Sequence, residues 1–181
     1  MSTQNTNSSD PGKLDPTILL PGTVSYLDLV NPDKFGRKAP EPLTKERVIE
    51  HLADRGYRFS IDDDGDPVGV WDQNLVWFMF LGTDENFLQV RARWHRKVAT
   101  LERLSLLQAL NDWNRDKLWP KVFARAEEDS PEHLHVYAEI SCDFSAGATD
   151  HQLHQAIDLS LEGALMFFDS LGQSLPPSLD D

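Results

Sequence analysis

Seven consecutive apolar residues, Leu-Val-Trp-Phe-Met-Phe-Leu at 75–81, constrain this chain more than any other stretch. They are far fewer than the roughly 20 that span a bilayer as a helix. Their aromatic and β-branched content favours a strand. Side chains alternate across a strand, so Trp77, Met79 and Leu81 point one way and Val76, Phe78 and Phe80 the other, and both faces need cover. The neighbouring stretch, 87–95, alternates: Leu88, Val90, Ala92 and Trp94 share one face, Gln89, Arg91, Arg93 and His95 the other. If helices cover one side of this pair of strands, something else must shield the second. Either the helices divide between both faces, or a second subunit supplies the cover, and the second subunit is the sharper expectation. Trp77, Met79, Leu81, Arg91 and Arg93 are therefore the candidate partner interface. Arg91 and Arg93, with Arg96 and Lys97, form the densest basic patch in the chain, for which local charge balance against aspartates is the bland reading.

The remaining elements follow from caps, turns and periodicity. Thr44 can cap a helix over 45–56, with Glu46 in its first turn, Val48, Ile49 and Leu52 as its apolar stripe and Gly56 at its end. Strands are expected at 57–63, 67–72, 75–81 and 87–95. A helix over 101–116 places Leu101, Leu104, Leu107, Leu110 and Trp113 at helical spacing. Two further strands run near 121–127 and 134–142. The last helix opens on Thr-Asp-His-Gln at 149–152, a capping box, and presents Leu153, Ile157, Leu161, Leu165 and Phe168 on one face before Pro176 and Pro177. The order α-β-β-β-β-α-β-β-α with hairpin-length links is α+β, an antiparallel sheet flanked by helices. It occupies 41–176, between a 1–40 tail that is disordered or loosely docked and a 177–181 C-terminal tail. Within the first tail, Ile18 to Val30 is apolar but interrupted by Pro21 and Gly22, as a docking segment would be.

Between the first two strands lies Ile-Asp-Asp-Asp-Gly-Asp-Pro, residues 61–67. As an EF-hand loop with Gly65 at position 6, it would place Ser60 at position 1 and Trp71 at position 12, where a bidentate glutamate is required. A hairpin fits better. Asp64-Gly65 as a type I′ turn pairs Ile61 with Val68 and Phe59 with Val70 on one core face.

Net charge is −13, and the imbalance falls after residue 40, where 26 acidic residues face 13 basic ones. Such a domain repels phosphate backbones, so no nucleic-acid partner is expected. The start lacks a basic and apolar leader, and the single cysteine, Cys142, lies in strand pattern as a small hydrophobe. A cytoplasmic protein without a membrane association is the expectation. His133 and His135 on one strand and His151 and His154 on the last helix are read as solvated polar faces rather than metal ligands. Phosphate loops, nucleophile elbows and paired metal-ligand motifs are missing, and acidic neighbours such as Glu127 and Glu128 are what an acidic surface produces anyway. Neither catalytic residues, cofactor nor metal are assigned.

Five blocks carry a resemblance: Asp-Asp-Asp-Gly-Asp-Pro-Val-Gly-Val-Trp-Asp continuing through 82, "LQVRARWHR" at 88–96, "LNDWNRDKLWPKVFAR" at 110–125, "VYAEISCDF" at 136–144 and "TDHQLHQAIDLSLEGALMFFDSL" at 149–171. In this order they resemble an actinobacterial member of the YbjN family, bacterial sensory transduction regulators. The resemblance covers about 43–175 and implies a type III secretion chaperone-like fold that commonly dimerises. Asn111, Trp113, Asn114, Trp119 and Pro120 match the family's pattern at a helix-to-strand turn, where tryptophans pack and asparagines bond the backbone. The resemblance carries no catalytic residues.

The functional expectation is a non-enzymatic regulatory or chaperone-like protein. It would bind a protein partner through its sheet face as a homodimer. The alternative is a small-molecule-binding domain or enzyme with a pocket between sheet and helices, for which Arg91, Arg93 and His135 would have to converge.

Overall fold

The structure, a computed structural model, describes residues 39–128 and 130–175. The expectations for residues 1–38, and for the C-terminal tail beyond 175, lie outside the described residues.

Helix α1 spans Lys45–Asp54, with the Thr44 hydroxyl accepting from the Arg47 N–H. It ends in a Schellman arrangement. Gly56 sits at φ 71°, its N–H reaches the Ala53 carbonyl, and the Tyr57 N–H reaches that of Leu52, a left-handed exit that glycine adopts without strain. Strands β1 (Phe59–Ile61), β2 (Pro67–Trp71), β3 (Asn74–Leu81) and β4 (Phe87–Ala99) follow, then a short 3₁₀ turn and helix α2 (Arg103–Asp116). Strands β5 (Lys121–Glu127) and β6 (Ser130–Asp143) precede helix α3 (Asp150–Ser174), whose Thr149–Gln152 capping box is formed. The six strands make one antiparallel sheet in the order β1-β2-β3-β4-β6-β5. The protein is α+β in the order its sequence implies.

One face of the sheet carries the core. Val76, Phe78 and Phe80 lie beside Ala92, Val90 and Leu88, and Ala92 lies beside Ala138. Against this face pack Val48 and Leu52 of α1, Leu106 and Leu110 of α2, and Leu153, Ile157, Leu161, Phe167, Phe168 and Leu171 of α3, in a single cluster. All three helices thus cover the same side. Among the described residues the division of helices between the two faces does not occur.

Two local expectations are corrected. The first hairpin pairs Phe59 with Gly69 and Ile61 with Pro67, not with Val70 and Val68. Its loop is longer than two residues because Asp62 organises it: the Asp62 carboxylate accepts from the N–H groups of Asp64 and Asp66 at 3.1 and 2.9 Å, an Asx-type turn. Pro67, Gly69 and Trp71 consequently face the helices. Val68 turns to the other side, while Ile61 and Val70 are 48 % and 61 % exposed instead of meeting in the core. The two-residue turn falls one hairpin later, at Asp72 and Gln73, with φ 47° and 67° between the paired Trp71 and Asn74. Lys45 also bears on the metal question at the tip. Its ammonium reaches the Asp64 carbonyl and an Asp66 carboxylate oxygen, each at 2.9 Å, so a protein cation already sits among these acids.

The second correction concerns α2. Leu101 and Leu104 are 98 % and 83 % exposed, and the buried residues are Leu106 and Leu110. Five leucines between 101 and 110 make two stripes of equal helical spacing. Tertiary anchoring chooses between them: Trp113 stacks edge-on against Phe167 with centroids 4.9 Å apart, and its indole N–H donates to the Pro120 carbonyl.

Candidate functional site

The face of the sheet opposite the helices is built by alternation along β3, β4, β6 and β5. Across it run rows fixed by register: Val68–Trp77–Arg91–Glu139–Lys121, Leu75–Arg93–Tyr137–Phe123, and Met79–Gln89–Ser141. Among the described residues no helix covers it. Trp77, Met79, Arg91 and Arg93 are half-buried here, and Leu81 and Phe87 are exposed at its end. Four of the five expected interface residues therefore stand together, with Leu81 at the margin.

Polar groups on this face are tied into ladders. Glu139, 7 % exposed, accepts from Arg91 Nε at 2.9 Å and from Lys121 Nζ at 2.7 Å. Burial alone would raise its pKa, but the bonds from Lys121 and Arg91 outweigh that and hold it below the usual carboxylate range. Arg91 also donates to Gln89, and Gln89 to Ser141, both at 2.8 Å. A second group centres on Glu127. Its carboxylate accepts from the Tyr137 hydroxyl, and Arg93 and Arg125 lie 3.7 Å away. The tyrosine bond, followed by the nearby cations, depresses Glu127, while burial and that same bond raise Tyr137, so the proton stays on the phenol. The guanidinium of Arg93 lies 5.7 Å from the Trp77 ring and that of Arg125 4.8 Å from the Tyr137 ring.

The arginines are thus balanced by Glu139 of β6 and Glu127 of β5, not by aspartates. The rest of the basic patch is dispersed. A register shift between Arg93 and Lys97 interrupts β4, and Arg96 stacks on the Trp94 ring at 4.9 Å, on the α3 side. Between the acidic tip and the arginines lies a shallow hollow of about 320 Å³, lined by Trp77, Met79, Arg91, Arg93, Arg125 and Tyr137 together with Asp62, Asp64 and Asp66. His135 is not part of it. It is buried instead of solvated, 3.9 Å from Glu127.

Another reading of the histidines is corrected on α3. His154 is half-buried and stacks on His51 with ring centroids 3.9 Å apart. His51, 2 % exposed, bonds Asp158 at 3.2 Å, and Asp158 also pairs with Arg55. Burial, then the neighbouring His51, lowers the pKa of His154. Sequence reasoning missed this cluster because 103 residues separate its two histidines; an apolar stripe with a histidine on its buried edge was the available signal. Among the described residues no three potential ligands gather for a metal. Cys142 is half-buried, and burial pushes its thiol up, away from redox reactivity. Among these residues no helix is long and apolar enough to cross a membrane.

The comparisons with known proteins agree with this architecture. The crystal structure of YbjN from E. coli, itself described as a putative transcription regulator, superposes with a TM-score of 0.61 at 18 % identity, covering 77 % of this chain and 100 % of that one. An uncharacterized protein from Methanothermobacter thermautotrophicus superposes with a TM-score of 0.51 at 9 % identity, covering 74 % and 100 %. At these identities the likeness is one of fold. No curated protein matches the chain. A family model described as "Putative bacterial sensory transduction regulator" matches residues 44–173, most of the chain and the whole of the sheet with its three helices. The chain belongs to the YbjN family.

Proposed function

We propose that this protein is a non-enzymatic, regulatory interaction protein that binds a protein partner through the open face of its sheet, in the first place a second copy of itself. The observation that carries the reading is that face: Trp77, Met79, Leu81 and Phe87 stand uncovered by any helix of the described residues, beside arginines held in fixed positions by Glu127 and Glu139. Tryptophan, methionine, phenylalanine and arginine are the side chains enriched in protein interfaces, and this face sets an apolar strip beside an ordered polar one. Its charges suit a self-complementary contact. The acidic tip at Asp62–Asp64 borders one side of the hollow, the Arg91, Arg93 and Arg125 side chains the other, and a two-fold operation can set one against its opposite. The family description supports a regulatory role, and a chaperone-like hold on a protein segment is the form of it that an open sheet face serves.

Light scattering tests the reading. At tens of micromolar the wild type should have twice the chain mass, and Met79→Asp, which sets a charge in the centre of the face, should be monomeric with an unchanged circular dichroism spectrum. A wild-type monomer at that concentration contradicts the reading. The hollow itself favours one alternative, a small polar ligand held between Arg91, Arg93 and Arg125 and the carboxylates of Asp62, Asp64, Asp66 and Glu127 that line it with them. A melting temperature raised by one member of a metabolite panel, and lost in Arg93→Ala, would favour it.

A further inference from the structure

Among the described residues the sheet ends at β5, whose partner on the inner side is β6. An end strand presents unpaired backbone groups, which invite pairing with another strand. Here the first of those groups are already occupied by the end of α2. The Val122 N–H donates to Asn114 Oδ1 at 3.0 Å, and Asn114 Nδ2 donates to the Val122 carbonyl at 2.9 Å. One N–H cannot also serve β6, so Val122 and its partner Ala138 form a non-hydrogen-bonded pair, and both polar groups of Val122 point off the free edge. The side-chain amide of Asn114 thus makes the two bonds that a residue of an added strand would make. Two residues earlier, Pro120 offers no N–H, and the Trp113 indole takes its carbonyl at 3.2 Å. Alternation leaves the backbone groups of Ala124 and Ala126 as the remaining outward ones.

We propose that Asn114 is a strand surrogate that closes this edge against β5 of a second copy. Two β5 strands meeting antiparallel about a two-fold axis at Ala124 would pair Val122 of each with Ala126 of the other, and Ala124 with its own counterpart. With Val122 occupied in both copies, only the central pair can form, too short a contact to persist. The device acts on the edge of the sheet and is independent of any contact across its face.

The test is the mass of the variant. Asn114→Ala should form species heavier than the wild type, growing with concentration in light scattering. Adding Ala124→Pro, which removes an outward N–H at a position where an edge strand tolerates proline, should return the mass to that of the wild type. The growth should persist in a Met79→Asp background, which separates this edge from the face. A folded Asn114→Ala with wild-type mass at every concentration overturns the proposal, as does growth that Ala124→Pro fails to reverse. Should Asn114→Ala fail to fold, Asn114→Ser, whose single short hydroxyl cannot bond both backbone groups of Val122, takes its place; a folded Asn114→Ser without added mass overturns the proposal equally.

Discussion

Replacing Gly69 by alanine tests the register of the first hairpin through a single methyl group. A Cβ on Gly69 would lie 2.6 and 2.8 Å from Cζ3 and Cη2 of the Trp71 ring and 2.8 Å from the Arg58 carbonyl oxygen. None of these separations is tolerable, so the ring must leave. Trp71 meets Tyr57 and Phe78 edge-on, with centroids 5.5 and 5.7 Å apart, contacts worth about 0.5–1.5 kcal/mol each. Strain against the Arg58 carbonyl adds about 1 kcal/mol. Gly69→Ala should therefore destabilise by about 2–4 kcal/mol in urea unfolding, with the slope of the transition unchanged. In a Trp71→Ala background the ring contribution is already gone, and the same substitution should cost only about 1 kcal/mol, a coupling of about 2 kcal/mol. With the register first expected, in which Val70 and Val68 face the core, Gly69 would lie on the opposite side from that core. A Gly69→Ala effect below about 0.5 kcal/mol, or strict additivity with Trp71→Ala, would refute the reasoning.

Two further outcomes follow from strained or titrating groups. Gln73 holds φ 67° as the second residue of a two-residue hairpin turn, where glycine is favoured. Gln73→Gly should stabilise by roughly 0.5–1 kcal/mol in the same assay, the relief of left-handed strain less the greater freedom of the unfolded chain. His154 titrates below its ordinary value in the folded state because of burial and the His51 ring beside it. Asp158 and Asp150 act in the opposite sense and Arg55 in the same one. An unfolded chain that binds the proton more readily is favoured as pH falls, so stability is complete above about 6.5 and declines from there towards the lowered folded value. His154→Phe should flatten the melting temperature between pH 7 and pH 5.5, and an unchanged slope would exclude the His51–His154 stack as its source.

The order of elements was legible because strand alternation and capping boxes are local signals. Val76, Phe78 and Phe80 are buried as the period of two requires, and Thr149 with Gln152 starts α3 as the pattern requires. What could not be seen depends on contacts between distant residues. The acidic tip offered Asp64-Gly65 as a two-residue turn, yet one aspartate carboxylate two residues earlier, bonding two backbone N–H groups, extends the loop and moves every side chain of β2 to the other face. On α2 two leucine stripes were equivalent until Trp113 found Pro120. That Trp77, Met79, Arg91 and Arg93 share one side of the sheet was legible, because alternation along a strand is a local signal. The carboxylates that fix its arginines, Glu127 and Glu139, come from strands far along the chain, and pairing of that kind leaves no trace in local spacing. The role of Asn114 was legible only in part: an asparagine bonding the backbone at the end of a helix was foreseeable, but that the backbone belongs to the sheet's free edge follows from the strand order.

If a partner copy covers the open face, the thioether of Met79 is shielded by it. Met166, 57 % exposed on α3, is an internal control on the helical side of the same molecule. Peroxide oxidation of the two methionines, followed by mass spectrometry across a range from low to high micromolar protein, compares them in one sample. Oxidation of Met79 should slow severalfold as concentration rises, while that of Met166 keeps its rate. A rate at Met79 that does not change with concentration would contradict a covered face.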